Sequence, residues 1–266
     1  MVPKPATARV SRLQAAAAIL FWVAVWQLAA FFVGRMGLGF LLAGPLETLQ
    51  VLAGMLPQGA FWGRIGFSAA RILGGFALAL VFGCLLAALS AALPPVYILL
   101  RPLMQFIKAT PVASIIILAL LWVSSANLSV LISFLMVLPV IYAAVLEGIR
   151  RTDPQLLEMA RVFRLPFGRT LRAIWLPGVW PYLLQSCETG LGLCWKSGVA
   201  AEVIGLAGGS IGEALYQAKI FLQTGELFAW TLVIILVSAV FEKLALAALR
   251  LAGRRLGGGE PLCTRN

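Results

Sequence analysis

Three ionisable residues, Glu188, Lys196 and Glu202, interrupt an otherwise apolar run between Pro181 and Leu206. One ionised side chain at the centre of a membrane helix costs about 2.5–3.5 kcal/mol, so each needs a partner, an aqueous path or a role. On a single helix Lys196 stands eight residues from Glu188 and six from Glu202, about 12 and 9 Å along the axis, too far for these groups to pair with one another. Two chemistries stay open: pairing with another span or a second subunit, or, for Lys196, presenting positive charge to an anionic solute at mid-membrane. Ser186, Gly190, Cys194, Gly198 and Glu202 recur every four residues on the same helix. Together with Lys196 this small and polar stripe is the candidate lining of a translocation path; the competing explanation is that it admits a neighbouring helix.

Bond-making chemistry has little to work with. The chain contains no histidine, the commonest general base and transition-metal ligand. Its four cysteines lack metal-ligand neighbours, and Cys187 and Cys194 lie too far apart along one helix for a disulfide. No G-x-x-x-x-G-K-[ST] phosphate loop occurs. Neither catalytic residues, a metal site nor a cofactor is expected, and the chain is not read as an enzyme.

The elements that position these charges are membrane helices. Of 266 residues, 61% are hydrophobic and 12% charged, a composition of an all-α integral membrane protein. About six spans are expected, near 14–33, 68–92, 109–125, 128–147, 181–206 and 227–252. The third is broken into by four prolines between Pro94 and Pro111, and "SSANLS", 124–129, reads as a polar turn. Gly75, Ala79, Gly83, Ala87 and Ala91 make a ridge of small residues on the second span, suited to close packing. "GLAGGSIGEALYQAKIFLQTGE" reads as a re-entrant turn and short helix joining the last two spans.

The net charge of +11 reflects basic residues at span ends rather than a nucleic-acid surface. Lys4, Arg9, Arg12, Arg101, Lys108, the 148–180 loop and Arg250 to Arg265 share one side, leaving Arg35, Arg64 and Lys219 on the other. By the positive-inside rule both termini and the central loop are cytoplasmic.

That loop carries six arginines between Arg150 and Arg172. Thr152 or Asp153 can cap a first helix, Pro154 suits its first turn, and "QLLEMARVF" offers Leu156, Leu157, Met159, Ala160 and Phe163 as an apolar face. "RLPFG" breaks it, "RTLRAIWLP" resumes helix, and Pro177 and Pro181 set the entry angle of span five. An amphipathic basic hairpin either lies on anionic lipid or seats on a soluble partner.

The spacing resembles the EAA signature of permease subunits of type I ABC importers: Glu158 and Ala160 fit, Ile174, Leu176 and Pro177 are in register, Met159 replaces an Ala, and Arg164 stands where a Gly is usual. Gly168 is the candidate to supply the missing flexibility. "GPLETLQVL", "SAARILGGFALAL", "ATPVASIIILALLW" and "WKSGVAAEVIGLAGGSIGEAL" extend the likeness, across 44–245, to the nitrate/sulfonate/taurine branch.

The resemblance implies a transmembrane permease with an EAA-type coupling hairpin, 152–177, between spans four and five. Glu158, Met159, Ala160, Phe163, Arg164, Gly168, Ile174, Leu176 and Pro177 are its ATPase-coupling residues, with Glu158 holding the hairpin to the ATPase or capping it. It further implies cytoplasmic ABC ATPase subunits, an extracytoplasmic solute-binding protein and a second permease subunit forming a homodimer. The solute class is nitrate, sulfonates, taurine or vitamin precursors. Residues 1–60 then form a tail, first span and linker, 61–252 the transport core, and 253–266 a cytoplasmic tail. An ion-gradient-driven secondary transporter is the alternative, disfavoured because no inverted repeat is evident.

Overall fold

The computed structural model describes residues 12–255, and all regular structure among them is helical. In chain order these are α1 (Arg12–Arg35), α2 (Pro45–Met55), α3 (Gly59–Ala92), α4 (Pro94–Ala109), α5 (Val112–Ala119), α6 (Ser125–Arg150), α7 (Pro154–Val162), α8 (Phe167–Thr170), α9 (Leu176–Gly205), α10 (Ile211–Ile220) and α11 (Thr224–Arg255). Cys263 and Arg265, together with Lys4 and Arg9, lie outside the described residues.

Among the described residues, four single helices are long and apolar enough to cross a membrane: Ala16–Arg35, Gly59–Ala92, Ser125–Arg150 and Thr224–Gly253. Helix α9 has the length, with 30 residues or about 45 Å, but carries the three charges. The expected third span is present as a broken pair, α4 and α5 being long and apolar enough only together. Thr110 and Pro111 separate α4 from α5, and the two meet at a 103° bend, because Pro111 donates no amide hydrogen and holds its predecessor extended. At eight residues, or about 12 Å, α5 does not cross a membrane alone.

Two boundaries also move. Arg64 and Arg71 both lie inside α3, which begins at Gly59 rather than near 68. The turn placed on "SSANLS" falls at 120–124 instead; Ser125–Ser129 are the first turn of α6, and Ser129 is fully buried.

The chain divides into two compact units. One comprises residues up to Phe61 with Leu215–Leu232. Its contacts are aromatic: the Trp26 indole donates to the Ala43 carbonyl at 3.0 Å and lies 5.3 Å from the Phe228 ring, and Phe61 lies 5.1 Å from Trp230.

The other comprises Trp62–Ala214 and the chain from Val233, and its core is the packing of α6 on α9 and α3. The small-residue ridge of α3 works as expected over most of its length. A Cβ on Gly75 would stand 2.5 Å from the Val130 carbonyl, one on Gly83 2.8 Å from Ile141, while Ala79 and Ala87 are fully buried. Ala91 is exposed. Ile107, Ile116, Leu128, Ile132 and Met136 fill the neighbouring core, where α5 meets α6.

Candidate functional site

The hairpin is built from local signals. Asp153 caps α7, its carboxylate accepting from the Gln155 amide at 2.8 Å, while Thr152 instead donates to the Gly148 carbonyl at 3.2 Å. The cap position is therefore filled without Glu158, which is exposed on α7. At the foot of the hairpin the Arg151 guanidinium donates to Glu147, a bond that raises its already high pKa further.

The helix ends at a left-handed residue, and that residue is Arg164, with φ of +49°. Its amide donates to the Arg161 carbonyl at 3.0 Å, and the Leu165 amide reaches back to Ala160 at 2.9 Å. These are the paired bonds of a Schellman termination, whose left-handed position favours glycine. The turn expected from a Gly is thus retained with an arginine in it. Gly168 does not supply it: Gly168 sits inside α8 without a positive φ. A left-handed conformation costs an L-residue about 1–2 kcal/mol, so Arg164→Gly is expected to stabilise the turn by about 1 kcal/mol. Slower hydrogen–deuterium exchange at the Leu165 amide would check this.

Beyond Pro166 the chain turns through α8 and one widened π turn, Leu171–Trp175, in which the Leu176 amide bonds to the Leu171 carbonyl five residues back. Pro177, lacking an amide hydrogen, follows at once. Helical backbone therefore runs unbroken from Phe167 to Gly205, and Ile174, Leu176 and Pro177 join the hairpin directly to α9.

The apolar face differs from the expected one. Ala160 and Ile174 are buried, with Ala160 beside a recess lined by Leu157, Arg164 and Trp175. The exposed apolar tip consists of Val162, Phe163 and Phe167, at 78%, 71% and 76% exposure, with Met159 beside them at 44%. Val162 and Phe167 were not singled out by the sequence. Phe167 was legible as the aromatic residue of "RLPFG", since so short a turn offers little to bury it. Arg161, Arg164, Arg169 and Arg172 are all exposed around this tip.

On α9 the four-residue stripe turns inward. Ser186, Gly190, Cys194, Gly198 and Glu202 are all buried. A Cβ on Gly190 would meet Val137 at 3.1 Å, and one on Gly198 would meet Ile72 at 2.6 Å and Ser133 at 2.7 Å. The Ser133 hydroxyl donates to the Cys194 carbonyl at 3.2 Å. The path reading of these five residues is corrected accordingly: the stripe is a seam against α3 and α6, because small residues let those helices approach too closely for an aqueous gap.

Glu202 closes the end of that seam. Its Oε2 accepts from the Ser68 hydroxyl at 2.7 Å and the Gly212 amide at 3.3 Å, and Ser68 accepts in turn from the Ile211 amide at 3.0 Å. One carboxylate thus ties α3, α9 and the start of α10. Lys196 and Glu188 lie on the other face of α9 and are exposed, as are Gln185 and Thr189.

The profile of the family described as binding-protein-dependent transport system inner membrane component matches residues 79–258, which include the hairpin, α9 and the α6 side of the seam. The chain belongs to this family. It is a multi-pass membrane permease of an ABC importer, in the nitrate/sulfonate/taurine branch, which sets aside the ion-gradient alternative. The putative aliphatic sulfonates transport permease SsuC of Bacillus subtilis strain 168 is 28% identical over 88% of this chain and 83% of its own length. Its counterpart in Escherichia coli K12 is 30% identical over 84% and 82%, and the taurine transport permease TauC of that strain is 27% identical over 77% and 75%. A crystal structure of an amino acid ABC transporter with histidines superposes with a TM-score of 0.50 over 74% of this chain and 93% of its own, at 20% identity, and shares the fold.

Proposed function

We propose that two copies of this chain form the translocation path of an importer for a small organosulfonate or similar anion. Separate ATPase subunits seat on the hairpin 152–177 in the cytoplasm, where both termini lie, and a solute-binding protein delivers solute from the opposite side. The observation that carries the coupling is the exposed tip Val162, Phe163 and Phe167 on a hairpin whose second arm is one helix with α9. An apolar grip with a basic rim suits an acidic-edged socket, and continuous helix carries a tilt of the tip into the membrane as rigid-body motion.

The path lies on the exposed face of α9 rather than on its buried stripe. Lys196 stands there with no seam to bury it, and an ionised lysine at that depth persists where water or an anion meets it. The aliphatic sulfonates named for the relative SsuC are anions of this kind.

In proteoliposomes holding the complete importer, ATP-driven uptake of an alkanesulfonate is the deciding measurement. Lys196→Met is expected to lower uptake at least tenfold while leaving assembly intact, with Lys196→Arg partly active. Normal uptake and unchanged solute preference in Lys196→Met would remove the contact.

A further inference from the structure

We propose that a cleft between α4 and α6 binds the phosphate of an anionic phospholipid headgroup. It encloses about 230 Å³ at the end of α6 that leads into the hairpin. Tyr97, Arg101 and Lys108 line it from α4, and Tyr142, Glu147 and Arg150 from α6. The spacings of 97, 101, 105 and 108 on one helix and 139, 143, 146 and 150 on the other place both sets on facing surfaces.

Three cations converge on the cleft, and the carboxylate there is engaged elsewhere, because Glu147 accepts from Arg151 outside it. The walls are held before any ligand arrives. The Arg150 guanidinium stacks 4.3 Å above the Tyr97 ring, and the Tyr142 hydroxyl donates to Ser90 at 3.0 Å, buried between α6 and α3. A preset guanidinium beside a second arginine and a lysine fits a phosphate with several acceptor oxygens.

Free phosphate and a lipid phosphodiester share that chemistry, and the flanks of α4 favour the lipid. Ile98, Leu99, Leu103 and Phe106 are 70%, 72%, 49% and 68% exposed, an apolar border along which acyl chains extend from a headgroup held by Arg101 and Lys108. This site is independent of the solute proposed above, and its test reads lipid rather than transport.

The test is native mass spectrometry of the full-length chain in detergent, titrated with phosphatidylglycerol, phosphatidylcholine or inorganic phosphate. Phosphatidylglycerol is expected to be retained at one site, with phosphatidylcholine and free phosphate at least tenfold weaker. Neutralising each cation should cost about fivefold, so Arg101→Gln/Lys108→Gln/Arg150→Gln should weaken phosphatidylglycerol about a hundredfold. The charge-matched Arg161→Gln/Arg169→Gln/Arg172→Gln should not. If the triple variant fails to accumulate, Lys108→Gln alone, on an exposed side chain, carries the fivefold test. The proposal is overturned by unchanged retention in the cleft variants, by equal loss in the charge-matched control, by equal binding of phosphatidylcholine, or by free phosphate binding as tightly as lipid.

Discussion

Phe163→Asp/Phe167→Asp is expected to abolish co-purification of the ATPase and all ATP-driven uptake, while the permease itself unfolds within about 2 °C of the parent. Both rings are more than 70% exposed, so the fold loses little when they go. An aromatic anchor buried at an interface is worth about 2 kcal/mol or more, and two together weaken the complex about a thousandfold. The aspartates also set negative charge among the exposed Arg161, Arg164, Arg169 and Arg172, opposing the basic rim of the proposed contact. Ala160→Asp, the substitution the EAA resemblance first points to, is a poorer probe. Ala160 is 4% exposed, and its carbonyl holds the Leu165 amide; a buried carboxylate there melts the hairpin and releases the ATPase for a reason unrelated to contact. A complex that survives the double aspartate variant would place the ATPase elsewhere on the chain.

The hairpin was legible in the sequence because its determinants are local. An Asx residue before a proline starts α7, Leu-Pro stops it, and these act within a few residues whatever packs nearby. Arg164 could be flagged as standing at a glycine position, but whether the turn or the residue would yield needed the backbone: the two Schellman bonds hold the turn and the arginine adopts φ of +49°. The stripe on α9 was a different case. A four-residue repeat identifies a face without identifying what covers it, and small residues serve a close helix and an open path equally well in one-dimensional pattern. Only the approach of Ile72 and Ser133 to Gly198 decides it. The prolines before the third span likewise announced a break, whereas the 103° angle between its two helices could be read only from the backbone.

Glu202→Ala is expected to lower the thermal unfolding temperature by roughly 10 °C. Glu202 is fully buried and its Oε2 is shared by Ser68 and Gly212. Removing it strands the Ser68 hydroxyl and the Gly212 amide in an apolar interior and opens a void, together about 3–5 kcal/mol, at about 2–4 °C per kcal/mol for a chain this size. Glu202→Gln keeps an acceptor for Ser68 but sets an amide donor where the second carboxylate oxygen stood, and is expected to cost about 1–2 kcal/mol. A cycle with Ser68→Ala separates the knot from simple volume loss: coupling of about 1 kcal/mol or more identifies a shared hydrogen bond, whereas additive effects would mean that the two side chains merely fill space. The close approach of backbone sharpens the case, because a Cβ on Gly212 would lie 2.3 Å from that of Glu202. The end of α9 and the start of α10 are in contact there, and the carboxylate is the group that makes this contact tolerable, since it gives the α10 amide an acceptor that no water could reach to replace.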